Sequence, residues 1–100
     1  MKFTIRQAED GGPLHLEGEL DIYGAAELRA ALESHVRNAS SVALDLSDVS
    51  ACDPVAVQLI CSARRSAEAA DKPFHIVQIS APVALVCTAL GLTPEQLALS

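Results

Sequence analysis

The feature that most constrains this fold is a junction near the middle of the chain. An apolar run, Val42-Ala43-Leu44-Asp45-Leu46, gives way after residues 47–52 to Asp53-Pro54 and an amphipathic stretch. Near-continuous apolar character suits a strand covered on both faces. Asp followed by Pro reads as a helix start. The carboxylate accepts a hydrogen bond from an orphan backbone N–H, and Pro at the first helical position sacrifices none. A second apolar run at 74–79 follows that helix, so the unit is strand-helix-strand. In one sheet such a unit means parallel strands joined by a right-handed crossover.

The same punctuation extends in both directions. Residues 3–7 form a plausible first strand, Glu9-Asp10-Gly11-Gly12 a turn, and residues 13–20 alternate apolar with polar as a half-buried strand does. The first two strands thus predict an antiparallel hairpin. Asp21-Ile22-Tyr23-Gly24 breaks the alternation as a loop. Over 25–37, Leu28, Ala31, Leu32, His35 and Val36 recur at helical spacing, with Glu33 and Arg37 as an i, i+4 pair. A strand is expected over 41–46, a loop over 47–53, and a helix from Pro54 to about Ala70 with Ala56, Val57, Ile60, Ala63, Arg64 and Ala67 on one face. Ser80-Ala81-Pro82 opens a third helix with Val83, Val86, Cys87 and Leu90 as its buried stripe. Gly91 is its natural stop. Thr93 would cap a short final helical piece. The order β-β-α-β-α-β-α predicts one α/β domain over residues 1–100, with helices largely on one sheet face.

Composition narrows the function. The hydrophobic half of the 100 residues is almost wholly aliphatic, since aromatics make up only 3%. A net charge of −6 with seven Lys plus Arg disfavours a phosphate backbone as ligand, so no nucleic-acid partner is expected. No apolar run approaches the roughly 20 residues that span a bilayer. Met1–Arg6 meets charge at once and carries no apolar signal core. The expected compartment is the cytoplasm, with no membrane association.

Catalysis finds little support. His15, His35 and His75 stand beside no recognisable nucleophile motif, and no metal-ligand spacing occurs. No enzyme activity, cofactor or metal site is expected. Cys52, Cys61 and Cys87 are odd in number and widely spaced, which gives neither a disulfide framework nor a zinc site. Cys52 lies one residue before the helix cap, where positive helix-end potential can depress a thiol pKa, so a thiol redox sensor is one alternative. Protein recognition is the stronger reading, because two segments, 21–24 and 47–53, leave strand ends and feed helix N-termini, where rigid elements position binding loops.

Several segments, in order, carry a resemblance. They are Gly18-Glu19-Leu20-Asp21 ahead of a helix with Ala26-Glu27-Leu28, then Val42 to Val49, then Asp53, then Ser80-Ala81-Pro82-Val83 running to Leu90-Gly91-Leu92. From about Lys2 to Leu92 the chain resembles the STAS domain shared by anti-sigma factor antagonists and the cytoplasmic tails of sulfate transporters. The resemblance implies a mixed four- or five-stranded sheet with helices on one face. It also implies a regulatory domain that docks on an anti-sigma factor or histidine-kinase-like partner. In anti-sigma factor antagonists that partner phosphorylates the Ser or Thr after the Asp, in the pattern Asp-Ser-Ser/Ala-Gly. This chain has Asp53-Pro54-Val55-Ala56. Pro54 has no hydroxyl, so the usual switch is lost or lies elsewhere, with Ser50 as the nearby substitute candidate. Residues 57–59 and 62–65 also resemble STAS proteins found beside chemotaxis components. The expected contact surface is Asp21, Ile22, Tyr23, Ser50, Asp53, Pro54, Val55 and Ala56. A small-ligand or nucleotide sensor is a further alternative.

Overall fold

The computed structural model describes residues 2–7 and 12–92. Four strands, β1 (Lys2–Gln7), β2 (Leu14–Leu20), β3 (Val42–Cys52) and β4 (Phe74–Ile79), form one sheet in the order β1-β2-β3-β4. Three helices, α1 (Ala25–Asn38), α2 (Pro54–Ala69) and α3 (Ala81–Ala89), complete the fold. β1 and β2 are antiparallel, and the β2/β3 and β3/β4 pairs are parallel. The α/β fold and mixed sheet thus match the expectation, with four strands among the described residues. Two successive right-handed crossovers that step the same way along a sheet place their helices on the same face, and α1 packs on α2.

Aliphatic side chains from both layers make the core. Leu14, Leu16, Val42, Leu44, Leu46, Phe74 and Ile76 from the strands meet Leu28, Leu32, Ala56, Val57, Ile60, Ala63, Val83 and Cys87 from the helices. Each fully buried Leu or Val stabilises by about 1.5–3 kcal/mol relative to exposure. Two of the three aromatics, Phe3 and Phe74, lie in this core, whereas Tyr23 stands outside it.

Chain ends of the helices follow local chemistry. Asp53 accepts from the Val55 N–H at 2.9 Å, with Pro54 in the first turn of α2. At the far end, Lys72 N–H donates to Ala67 and Asp71 N–H to Glu68, the paired bonds of a Schellman stop, with Asp71 in the left-handed region at φ 57°. α3 ends the same way on Gly91 at φ 77°, with Leu92 N–H donating to Cys87 and Gly91 N–H to Thr88. Lys72 Nζ reaches across to the Val36 and Arg37 carbonyls at 2.6 and 3.1 Å, closing the C-terminal end of α1.

Three expectations need correction. Residues 47–52 are not a loop: β3 continues to Cys52 because β2 pairs with it as far as Leu20. Glu33 takes Arg29 at 3.2 Å rather than Arg37. Leu90 is exposed, since it is already the cap beyond the last turn of α3, and Val86 is only half-buried. Ser80 occupies the N-cap of α3, in keeping with the expected helix start, and its hydroxyl is buried with no hydrogen-bond partner among the described residues. The turn residues 9–11 and the final piece from Thr93 lie outside the described residues.

Candidate functional site

The candidate surface forms where β2 and β3 end side by side. Leu20 and Cys52 are register partners, and the Asp53 N–H donates to the Leu20 carbonyl at 2.8 Å. The segments that follow, from Asp21 and from Asp53, therefore start from adjacent strands, which lie about 4.8 Å apart in a sheet. β4 stops opposite Leu46, so the last six residues of β3 run on beside β2 without β4. Both segments consequently stand beyond the β4 end of the sheet.

Each segment is held by an Asp. Asp21 Oδ1 accepts from the Tyr23 and Gly24 N–H groups, both at 3.1 Å, and winds residues Ile22–Gly24 into a 3-10 turn leading into α1. The expected loop is thus a short helical turn. That turn pins the backbone and turns two apolar side chains outward: Ile22 is 59% exposed and Tyr23 87%. Exposed large apolar groups held on a rigid turn are what a docking surface presents. Pro54 and Ser50 are exposed, and Asp21, Asp53 and Val55 are half-buried. Ala56 is buried in the core against the sheet, so its side chain offers a partner nothing. The other seven expected contact residues line the two segments or the strand end that feeds them.

Cys52 does not have the character of a reactive thiol. Burial, together with the neighbouring Cys87 and Asp53, pushes its pKa up to about 11. Burial likewise raises Cys87. The helix-end field expected to lower Cys52 is outweighed by its removal from water.

A side-chain cluster that motif spacing did not reveal lies on the helix-free face. His15 Nδ1 is 3.3 Å from Asp45 Oδ2, and Nε2 is 3.0 Å from Asp48 Oδ2 and 3.9 Å from Glu17 Oε1. In a regular strand Asp45 and Asp48, three apart, point to opposite faces. Here β3 advances three residues while β2 advances two, between the pairs His15/Asp45 and Glu17/Asp48. That bulge turns both carboxylates to the His15 side. Burial works to raise Asp45, but the Ser47 hydroxyl and N–H and the His15 ring overcome it and hold it below its ordinary value. No single-sequence signal marks the cluster, because it depends on parallel register.

Another concavity runs between α1 and α2, lined from Arg29 and Leu59 onward by Leu32, Val36, Ala63 and Ser66. Among the described residues no helix is long and apolar enough to cross a membrane.

Comparison with known proteins places this geometry. The profile of the family described as "Mlab, STAS domain" matches residues 3–97. No curated protein sequence gives a significant match. Among solved structures, the anti-sigma factor antagonist SpoIIAA in its unphosphorylated form is similar at a TM-score of 0.71 and 21% identity, over 93% of this chain and 84% of that one. The Bacillus cell fate determinant SpoIIAA in its phosphorylated form is similar at 0.68 and 19%, over 91% and 85%. The crystal structure of Mglu is similar at 0.61 and 25%, over 75% of this chain but only 19% of the other.

Proposed function

We propose that this chain, which belongs to the STAS domain family, works as a single non-catalytic regulatory domain of the anti-sigma factor antagonist type, docking in the cytoplasm on an anti-sigma factor or kinase-like signalling protein. The observation that carries the reading is the joined pair of segments at the ends of β2 and β3. They present Ile22 and Tyr23 beside Asp53, Pro54 and Val55, fixed by the Asp53–Leu20 backbone bond. Aromatic residues on a rigid frame contribute a large share of protein–protein binding energy. SpoIIAA, which has the same fold, exists in phosphorylated and unphosphorylated forms.

In this reading Pro54 stands at the phosphoacceptor position of the family pattern. It offers neither a hydroxyl to a kinase nor an N–H to an anion. The domain therefore binds its partner constitutively or is controlled at another site, with exposed Ser50 as the nearest hydroxyl on β3.

The test is purification of the domain from its native cells with identification of the bound protein, followed by affinity measurement with Asp53→Lys. The expected result is weakened binding with native circular dichroism, since losing a cap costs about 1 kcal/mol and leaves most of the fold energy intact. Unchanged affinity in a natively folded variant would overturn the reading.

A further inference from the structure

The docking reading above leaves the chemistry of the partner open, and the charges around the two segments narrow it. Ile22 and Tyr23 stand 59% and 87% exposed on the turn ahead of α1, with exposed Pro54 and half-buried Val55 at the start of α2. Asp21 and Asp53 flank these apolar residues, and exposed Glu27 lies in the first turn of α1. None of the three carboxylates has an ion-pair partner among the described residues. Asp21 and Asp53 engage main-chain N–H groups through Oδ1.

The cations lie elsewhere. Residues 17–28, 44–63 and 73–100 hold no Lys or Arg. Lys2 and Arg6 belong to β1, on the side of β2 away from Asp53. Arg29, the first cation on α1, is tied to Glu33, one turn further from the segments, and Arg37 lies in the last turn. Arg64 and Arg65 stand about 15 Å along α2 from Pro54, where Arg64 pairs with Glu68. Lys72 is bound to the C-terminal end of α1. Helix dipoles favour acids at helix starts and bases at helix ends, which accounts for part of this segregation. They do not account for the exposed apolar pair that the acids surround.

We infer that the partner presents an apolar recess for Ile22 and Tyr23, rimmed by Lys or Arg side chains that face Asp21, Glu27 and Asp53. The inference rests on the docking reading and adds the partner's charge to it. The apolar pair supplies contact energy, and the carboxylates steer the approach and disfavour acidic competitors. Charges are felt over about 10 Å at 0.1 M salt. With no cation among them, the three carboxylates therefore act together on an approaching surface.

The test is stopped-flow association of the domain with the protein that co-purifies with it from native cells, from about 50 to about 500 mM NaCl. The association rate constant should fall roughly tenfold across that range. Near 50 mM, Glu27→Lys should slow association by about threefold or more. Glu68→Lys, an equal charge change at an exposed site near the far end of α2, should leave it within about twofold. Circular dichroism verifies that both variants fold. Association insensitive to salt, or slowed equally by the two variants, overturns the inference. A loss of affinity in Tyr23→Ala would then show that the docking reading stands without it. Unchanged binding in both Tyr23→Ala and Asp53→Lys, or no co-purifying protein, removes docking at this surface, and the inference falls with it.

Discussion

Asp53 and Leu20 are joined by a 2.8 Å hydrogen bond between main-chain atoms, and that bond links the start of α2 to the end of β2. It places the 3-10 turn carrying Tyr23 next to the helix that Asp53 caps. The two segments therefore share one frame through the main chain. Its exposed side chains, Ile22 and Tyr23, stand toward solvent.

Tyr23 is where frame and contact surface are easiest to tell apart. Tyr23→Ala should leave folding stability within about 0.5 kcal/mol, because the side chain is 87% exposed. Partner affinity should fall by about 2 kcal/mol, roughly thirtyfold. Paired denaturation and binding measurements check this. An affinity loss matched by an equal stability loss would assign Tyr23 a structural role instead.

Pro54 tests the switching half of the proposal. Restoring a hydroxyl with Pro54→Ser should cost about 0.5–1 kcal/mol of stability, since Pro at a compatible helix start lowers the entropy of the unfolded chain. If position 54 stands where the acceptor does, incubation with the kinase-like partner and labelled ATP should label the variant at residue 54. A variant that stays unlabelled would show that residue 54 does not stand at the acceptor position.

Asp71 offers a stability gain unrelated to binding. It holds φ 57° at the Schellman stop of α2, a conformation that costs an L-residue energy and Gly almost none. Asp71→Gly should raise stability by about 0.5 kcal/mol, read from urea midpoints. A lower midpoint would mean that unfolded-state entropy outweighs the relief of strain.

Particular residues explain how far the sequence could be read. Asp53-Pro54 announced α2 because capping is local chemistry, and the apolar stripe of α2 followed from period alone. The extension of β3 through Ser50 was hidden. Apart from Val49 those residues are polar or small, and only pairing with β2 makes them a strand. Tyr23 was legible as a candidate contact because it interrupts a pattern. Ala56 lies both on the apolar face of α2 and in the family's contact pattern, and the core takes it, because the third residue of α2 already turns inward. The His15 cluster was invisible, since a bulge set by long-range register decides which way Asp48 points.

Cys52 separates the thiol alternative from the docking reading. With its pKa pushed up to about 11 by burial, roughly one molecule in ten thousand carries the thiolate at pH 7, against a few per cent for a free thiol. Alkylation by iodoacetamide at pH 7 should therefore be at least tenfold slower at Cys52 than for a free thiol, since the thiolate is the nucleophile. Faster reaction than the free thiol would restore a redox role.

His35 sets the acid limit of the fold. Its ring is buried beneath α1, and Nε2 lies 3.0 Å from the Ala43 carbonyl, so the proton sits on Nε2 and donates to that oxygen. Burial lowers its pKa from 6.5, and the bond to Ala43 opposes that only in part. The unfolded chain thus binds a proton more readily than the folded one. The His35 contribution is complete above pH 6.5 and is lost as pH falls from there through the lower folded value, by up to about 1.4 kcal/mol per pH unit within that window. Asp45, also held low, adds a separate loss beneath its ordinary 3.8. Urea midpoints between pH 8 and pH 5 should be level above 6.5 and fall beneath it, and His35→Phe should flatten the fall. A wild-type midpoint that stays level to pH 5 would show that water reaches the ring in the folded state.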